Sequence, residues 1–248
     1  MARALALLLL LTGLARAENP PPAPAIDLVI IGVTDDLYSL YGHTALLVRT
    51  DPKAPIENAE LFNFGVTSFS GKHYIRDFIT GRVESWGDER PWGRQLEAWK
   101  KHDRTVTRYP VQLSDDARRR LVARLRLAIS PAYTRYIYDT FRENCATRPR
   151  DLLDEFSGGA VFAISGEAPS GLSYRDDVRI AFANLPGVLL ATEIFPGPDL
   201  DRPRTRWEMS YRPEYLEQVM REVRLADGTP LLGEAIVEHQ RRGPDPRD

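Results

Sequence analysis

Residues 105–130 read TVTRYPVQLSDDARRRLVARLRLAIS, and the change of character at Ser114 decides the fold class. Before it, Thr105 to Leu113 has the alternating character of a half-buried strand. After it, Ala117, Leu121, Val122, Leu125 and Ala128 recur at three- and four-residue spacing and make one apolar helical stripe. Ser114 is a good N-cap, because its hydroxyl can accept a backbone N–H that the first turn leaves unpaired. Asp115 and Asp116 follow where the helix dipole favours anions. Ser130-Pro131 stops the run.

Working outward, the N-terminal side carries strands. Leu28 to Val33 (LVIIGV), His43 to Val48 (HTALLV), Glu60 to Phe64 (ELFNF) and Arg82 to Trp86 are short runs bounded by turn residues. The C-terminal side carries helices: Asp151 to Phe156, stopped by Gly158-Gly159, and a last one from Pro213 to Val223. Tyr133 to Phe141 is aromatic-rich and fits either period. Strands followed by helices, without strict alternation, predict an α+β domain with a sheet packed against helices.

The chain ends read differently. Met1 to Ala17 has a basic residue at Arg3, an apolar tract from Ala4 to Leu14 and the small-x-small site Ala15-Arg16-Ala17, the pattern of a secretory signal. The tract is much shorter than the roughly 20 residues of a membrane span. Residues 18–27, with ENPPPAPA at 18–25, predict an extended or disordered leader. The domain is expected over 28–217, and 218–248 is expected to hold the end of the last helix and a disordered tail, RRGPDPRD. Cleavage removes two arginines and no acid, leaving 31 basic and 35 acidic side chains. A net charge near −4 gives no footprint for nucleic acid as a partner, and the expected location is the periplasm or another exported compartment.

One cysteine stands in the whole chain. Exported proteins usually carry cysteines in even sets as disulfides, so a lone thiol asks for a chemical explanation. Cys145 follows Asn144, a strong N-cap residue, and is expected in the first turn of a helix, where free N–H groups favour a thiolate and can bind an oxyanion. Pro149 lacks the N–H that would bond back to Cys145, so either this turn is irregular or the regular helix starts later. A thiol nucleophile needs a base. Of four histidines, His73, His102 and His239 sit in polar or tail-like surroundings. His43 opens an apolar strand behind Tyr41-Gly42 and is the candidate base. Asn63, flanked by Phe62 and Phe64 on the next strand, is the candidate third member, with Glu60 as an acidic alternative. No HExxH, CxxC or helical His pair supports a metal, no glycine loop cradles a phosphate, and no cofactor is implied.

Taken in order, Tyr41-Gly42-His43-Thr44, Phe62-Asn63-Phe64-Gly65, Tyr138 to Phe141 and Asn144-Cys145-Ala146-Thr147-Arg148-Pro149-Arg150-Asp151 resemble the Lnb N-terminal periplasmic domain family. The resemblance runs over about Leu28 to Glu217. It implies a permuted papain-like thiol fold, similar to the NlpC-type and lecithin:retinol acyltransferase groups, with histidine ahead of cysteine. It maps the family's nucleophile to Cys145 and its base to His43, and Asn63 falls in the family's Asn-x-Gly strand. Some members move an acyl chain from a phospholipid to the amino terminus of a lipoprotein, and those carry a membrane-spanning part that has no counterpart here. The expected activity is acyl transfer or acyl hydrolysis through a Cys145 thioester. Asn144, Tyr41 and Arg148 are candidate oxyanion or substrate contacts. The acyl donor is a phospholipid or an amide, a lipoprotein amine is one candidate acceptor, and contact with a membrane surface fits. An NlpC-type cell-wall amidase and a non-catalytic envelope module that binds lipid or protein remain the alternatives.

Overall fold

The apolar runs assemble into one antiparallel sheet in the computed structural model, which describes residues 21–34, 40–68, 76–77, 81–194 and 197–246. The expected signal segment and His73 lie outside the described residues. The strands are β1 (Ala25–Ile31), β2 (His43–Arg49), β3 (Glu60–Val66), β4 (Glu84–Pro91), β5 (Val106–Pro110), β6 (Arg135–Ile137), β7 (Pro169–Ser173), β8 (Pro203–Thr205) and β9 (Ile236–His239). Seven of them pair in the order β6-β4-β3-β2-β1-β5-β9, and β7 with β8 makes a separate ribbon. The helices are α1 (Trp92–Lys101), α2 (Asp115–Ala128), α3 (Thr147–Phe156), α4 (Ala160–Ser165), α5 (Tyr174–Ala181), α6 (Pro186–Ile194), α7 (Arg206–Met209) and α8 (Pro213–Glu222). The domain is α+β, as the switch at Ser114 implies.

Both faces of the sheet are covered, which explains why β1 reads as a continuous apolar run rather than an alternating one. Leu28, Ile30, Leu46, Val48, Phe62 and Phe64 face α2, α3 and α8 and form the larger core. Val29, Ile31, Ala45, Leu47 and Leu61 face Trp92, Leu96 and Trp99 of α1. The α2 stripe is buried as its spacing requires, and the Ser114 hydroxyl accepts the Ala117 N–H at 3.3 Å. Leu121 and Leu125 are fully buried, so truncating either to alanine costs about 2–5 kcal/mol.

The structure departs from the sequence reading in three places. Helix α1 was not anticipated, although Trp92, Leu96 and Trp99 stand at helical spacing. The sheet reaches beyond 28–217 at both ends: β1 starts at Ala25, and β9 closes the sheet edge against β5. The tail is ordered over that strand and beyond it. Asp103 accepts the backbone N–H groups of Arg242 and Gly243 at 3.0 and 2.9 Å and holds the His239 ring at 3.1 Å. Polar anchoring of this kind has no periodicity, so composition alone reads it as disorder.

Candidate active site

The Cys145 turn is built by its neighbour. The Asn144 carboxamide oxygen accepts the N–H groups of Ala146 and Thr147 at 2.8 and 2.9 Å, and the Thr147 hydroxyl returns the favour to Asn144 N–H at 2.8 Å. The Asn144 amide nitrogen donates to the carbonyls of Thr140 and Tyr211 at 2.7 and 2.8 Å. Both amide protons and the oxygen are thus committed to holding the turn. Regular helix begins at Thr147, two residues beyond the thiol, and Pro149 is the third helical residue, where its missing N–H costs nothing.

The thiol meets the sheet at two strand ends. Gly42, before β2, has φ +78°, and a Cβ there would sit 2.6 Å from the Ile31 carbonyl oxygen. Only glycine allows His43 to open the strand at this point. In β3, Gly65 has φ +79°, and the β3–β4 register shifts between Asn63 and Val66. A Cβ on Gly65 would lie 3.5 Å from Cys145 N, 3.6 Å from its Cβ and 3.1 Å from the Tyr138 ring, so the thiol turn packs directly on that bare backbone. The backbone N–H of Thr44, one residue from His43, lies near the Cys145 sulfur and favours its thiolate. Cysteine and histidine therefore reach the same end of β2. Among the described residues no hydrogen bond joins the imidazole to the sulfur, and the His43 ring partner is Asn63, Nε2 to Oδ1 at 3.2 Å. Asn63 is buried and its Nδ2 donates to Asp88 Oδ1 at 3.2 Å and to the Leu61 carbonyl at 3.4 Å.

This geometry sits inside a match to the Lnb N-terminal periplasmic domain, which spans residues 16–180 of the chain. The chain belongs to that family. No curated protein and no solved structure matches it. Membership in a periplasmic domain family marks the chain as an exported module of the cell envelope.

Electrostatically, the Lnb-type domain keeps its thiol and imidazole neutral. Burial pushes the Cys145 thiol up to about 11, opposed by the Thr44 N–H, its own N–H and the Arg104 charge. Burial and then Arg104 lower His43 to about 4, against its hydrogen bond to the Asn63 Oδ1 and the charge of Asp88. The thiol is half-buried by exposure, yet desolvation outweighs the dipoles around it.

The other candidates fall around this centre. Tyr41 stands edge-on to the rings of Phe182 and Tyr211 at 5.7 and 5.8 Å, next to Gly42. Arg148 stacks 3.7 Å over the Tyr136 ring and pairs with Glu143 at 3.1 Å. Arg150 pairs with Asp151 and lies over Trp207. Glu60 is at the far end of β3 from Gly65, near Arg126.

Two groups went unread in the sequence. Asp88 lies directly across from Asn63 in the β3–β4 register, a placement that needs the strand pairing to be known. Tyr136 has a buried hydroxyl without a hydrogen-bond partner; it faces the Gly65 amide and lies close enough to Cys145 for the two ionisations to oppose each other. Among the described residues no cluster of His, Cys, Asp and Glu could hold a metal, and no helix is long and apolar enough to cross a membrane.

Proposed function

We propose that this exported domain is a cysteine-dependent acyltransferase or acyl hydrolase on a permuted papain-like scaffold, with Cys145 as nucleophile, His43 as base and Asn63 as the group that orients the imidazole. The observation that carries the reading is the Thr44 N–H near the Cys145 sulfur, which brings the only thiol of the chain to the same strand end as a histidine whose Nε2 is already held by an amide. Apo hydrogen bonds between such groups commonly tighten only when substrate arrives.

The chemistry runs in two halves. His43 takes the thiol proton as sulfur adds to the acyl carbonyl, and the charge collects on the carbonyl oxygen. This reading assigns the Cys145 N–H and the Tyr136 hydroxyl as donors to that oxygen. Collapse expels the alcohol or amine, which leaves with the proton from His43 and a thioester on Cys145. An amine or water then attacks the thioester, gives its proton to His43, and regenerates the thiol. A phospholipid ester as donor and a lipoprotein amine as acceptor fit the family, with the domain working against a membrane surface. An amide donor in the cell wall fits the same steps.

The test is intact mass after incubation with phospholipid vesicles, with a cell-wall peptide amide in parallel. An acyl mass on wild type and none on Cys145→Ala is the expected result. Absence of both the adduct and product release with either substrate would refute the enzyme. A second reading, a non-catalytic envelope module that binds lipid or protein, draws on the neutral resting thiol. Under that reading Cys145→Ser leaves the envelope function intact.

A further inference from the structure

We propose that Asp88 is a positioning residue that acts through Asn63 to fix the tautomer of His43, leaving Nδ1 as the nitrogen that accepts the thiol proton. The inference rests on the reading of His43 as base and adds a fourth member to its chain of hydrogen bonds.

The argument is one of donors and acceptors. The Asn63 carboxamide has two acceptors on one side, the Asp88 carboxylate at 3.2 Å and the Leu61 carbonyl at 3.4 Å. Neither a carboxylate nor a carbonyl carries a proton to give. The amide must therefore turn its NH2 toward them, because the flipped orientation would set oxygen against oxygen twice inside the fold. Its Oδ1 then faces His43 Nε2 at 3.2 Å. An oxygen accepts, so Nε2 carries the hydrogen. A neutral imidazole has a single N–H, and Nδ1 is left with its lone pair.

Asp88 is also the member that decides. The Leu61 carbonyl is at the long limit of a hydrogen bond, too weak an anchor to hold the amide alone. The carboxylate is itself fixed by the Arg90 guanidinium at 2.7 Å. As charges, Asp88 favours protonated His43 and Arg90 opposes it. What Asp88 adds for the tautomer is the directed hydrogen bond to Asn63. Without it the carboxamide can rotate, present NH2 to Nε2 and force the hydrogen onto Nδ1. That tautomer has no lone pair on the side away from Asn63 and cannot take a proton there.

The tautomer can be read directly, by long-range proton–nitrogen correlation spectra of the 15N-histidine-labelled protein at neutral pH. In the wild type the His43 signals should report Nε2–H with an unprotonated Nδ1. In Asp88→Ala they should shift toward a mixture or toward Nδ1–H, and the rate of Cys145 acylation should fall about tenfold, the scale of one directed hydrogen bond, with KM little changed. Asp88→Asn keeps an acceptor oxygen and should restore both. An Nδ1–H wild type, or an Asp88→Ala protein whose His43 tautomer does not move, would overturn the proposal whatever the activity. If Asp88→Ala does not fold, Asp88→Leu, close to the native side chain in size but without an acceptor, takes its place: a His43 tautomer that moves supports the proposal, and one that does not overturns it. A tautomer that moves as expected in a protein with no acyl transfer would instead sink the enzymatic reading and leave the positioning role standing.

Discussion

Replacing His43 with glutamine should change how the protein responds to acid, and the size of the change follows from the surroundings of the ring. His43 packs near Trp99 of α1 and faces Arg104 before β5, Asn63 on β3, and Asp88 with Arg90 on β4. Burial first, then Arg104, hold its folded pKa at about 4, against 6.5 in an unstructured chain. Between those values the unfolded protein takes up a proton that the folded one refuses, so the unfolded state gains stability as pH falls. The contribution is complete above pH 6.5 and is lost on the way down: about 1 kcal/mol by pH 6, about 2 by pH 5 and about 3 by pH 4. Urea unfolding followed by tryptophan fluorescence, run at several pH values on wild type and His43→Gln, isolates it, because every other titrating group is common to both. The expected result is a difference in unfolding free energy that shifts against the wild type by about 3 kcal/mol between pH 7.5 and pH 4. Parallel acid losses in the two proteins would refute the reasoning, and so would a His43 resonance that titrates near 6.5.

Two further outcomes follow from the same site. With its thiol raised to about 11, Cys145 should react with iodoacetamide slowly at neutral pH and speed up about tenfold per pH unit to beyond pH 10, whereas a plateau between pH 6 and 8 would mean a thiolate already formed. Tyr136→Phe removes the unpartnered hydroxyl beside the thiol and should lower acyl transfer about 100-fold or more, the scale of one oxyanion donor, without loss of thermal stability; unchanged turnover would remove Tyr136 from the oxyanion site.

The elements legible in the sequence are those whose reason is local. The α2 stripe and its Ser114 cap lie within one turn of each other in sequence, and the fold class followed from them. Asn63 was legible as a polar residue facing away from Phe62 and Phe64, since neighbouring side chains of a strand alternate faces. Helix α1 left a readable trace in Trp92, Leu96 and Trp99, at spacings of four and three residues. The sheet's last strand left none, because β9 is short and is held by Arg108, which also pairs with Asp27, and by backbone donors folded onto Asp103. The site splits in the same way. Cys145 and His43 stand out through rarity and context, while Asp88 and Tyr136 join them only through strand pairing, Asp88 across from Asn63 on β3 and Tyr136 across from Ser85 on β4.

Under the proposed function, the neutral resting pair resolves a conflict between reactivity and location. A free thiolate outside the cytoplasm is exposed to oxidation, and susceptibility follows thiolate character and access. Burial here keeps the proton on sulfur, while the Thr44 and Cys145 amides favour the opposite charge state too weakly to win. The balance changes only as a carbonyl carbon bonds to sulfur. Negative charge then moves from the desolvated sulfur, which the site disfavours, to an oxygen within reach of unpaired donors, and the imidazole gains its proton in the same step. The burial that makes His43 a weak base at rest also removes the water that would weaken the imidazolium's attraction to that oxyanion. A site that looks inert by its resting protonation is therefore consistent with a nucleophile made on demand.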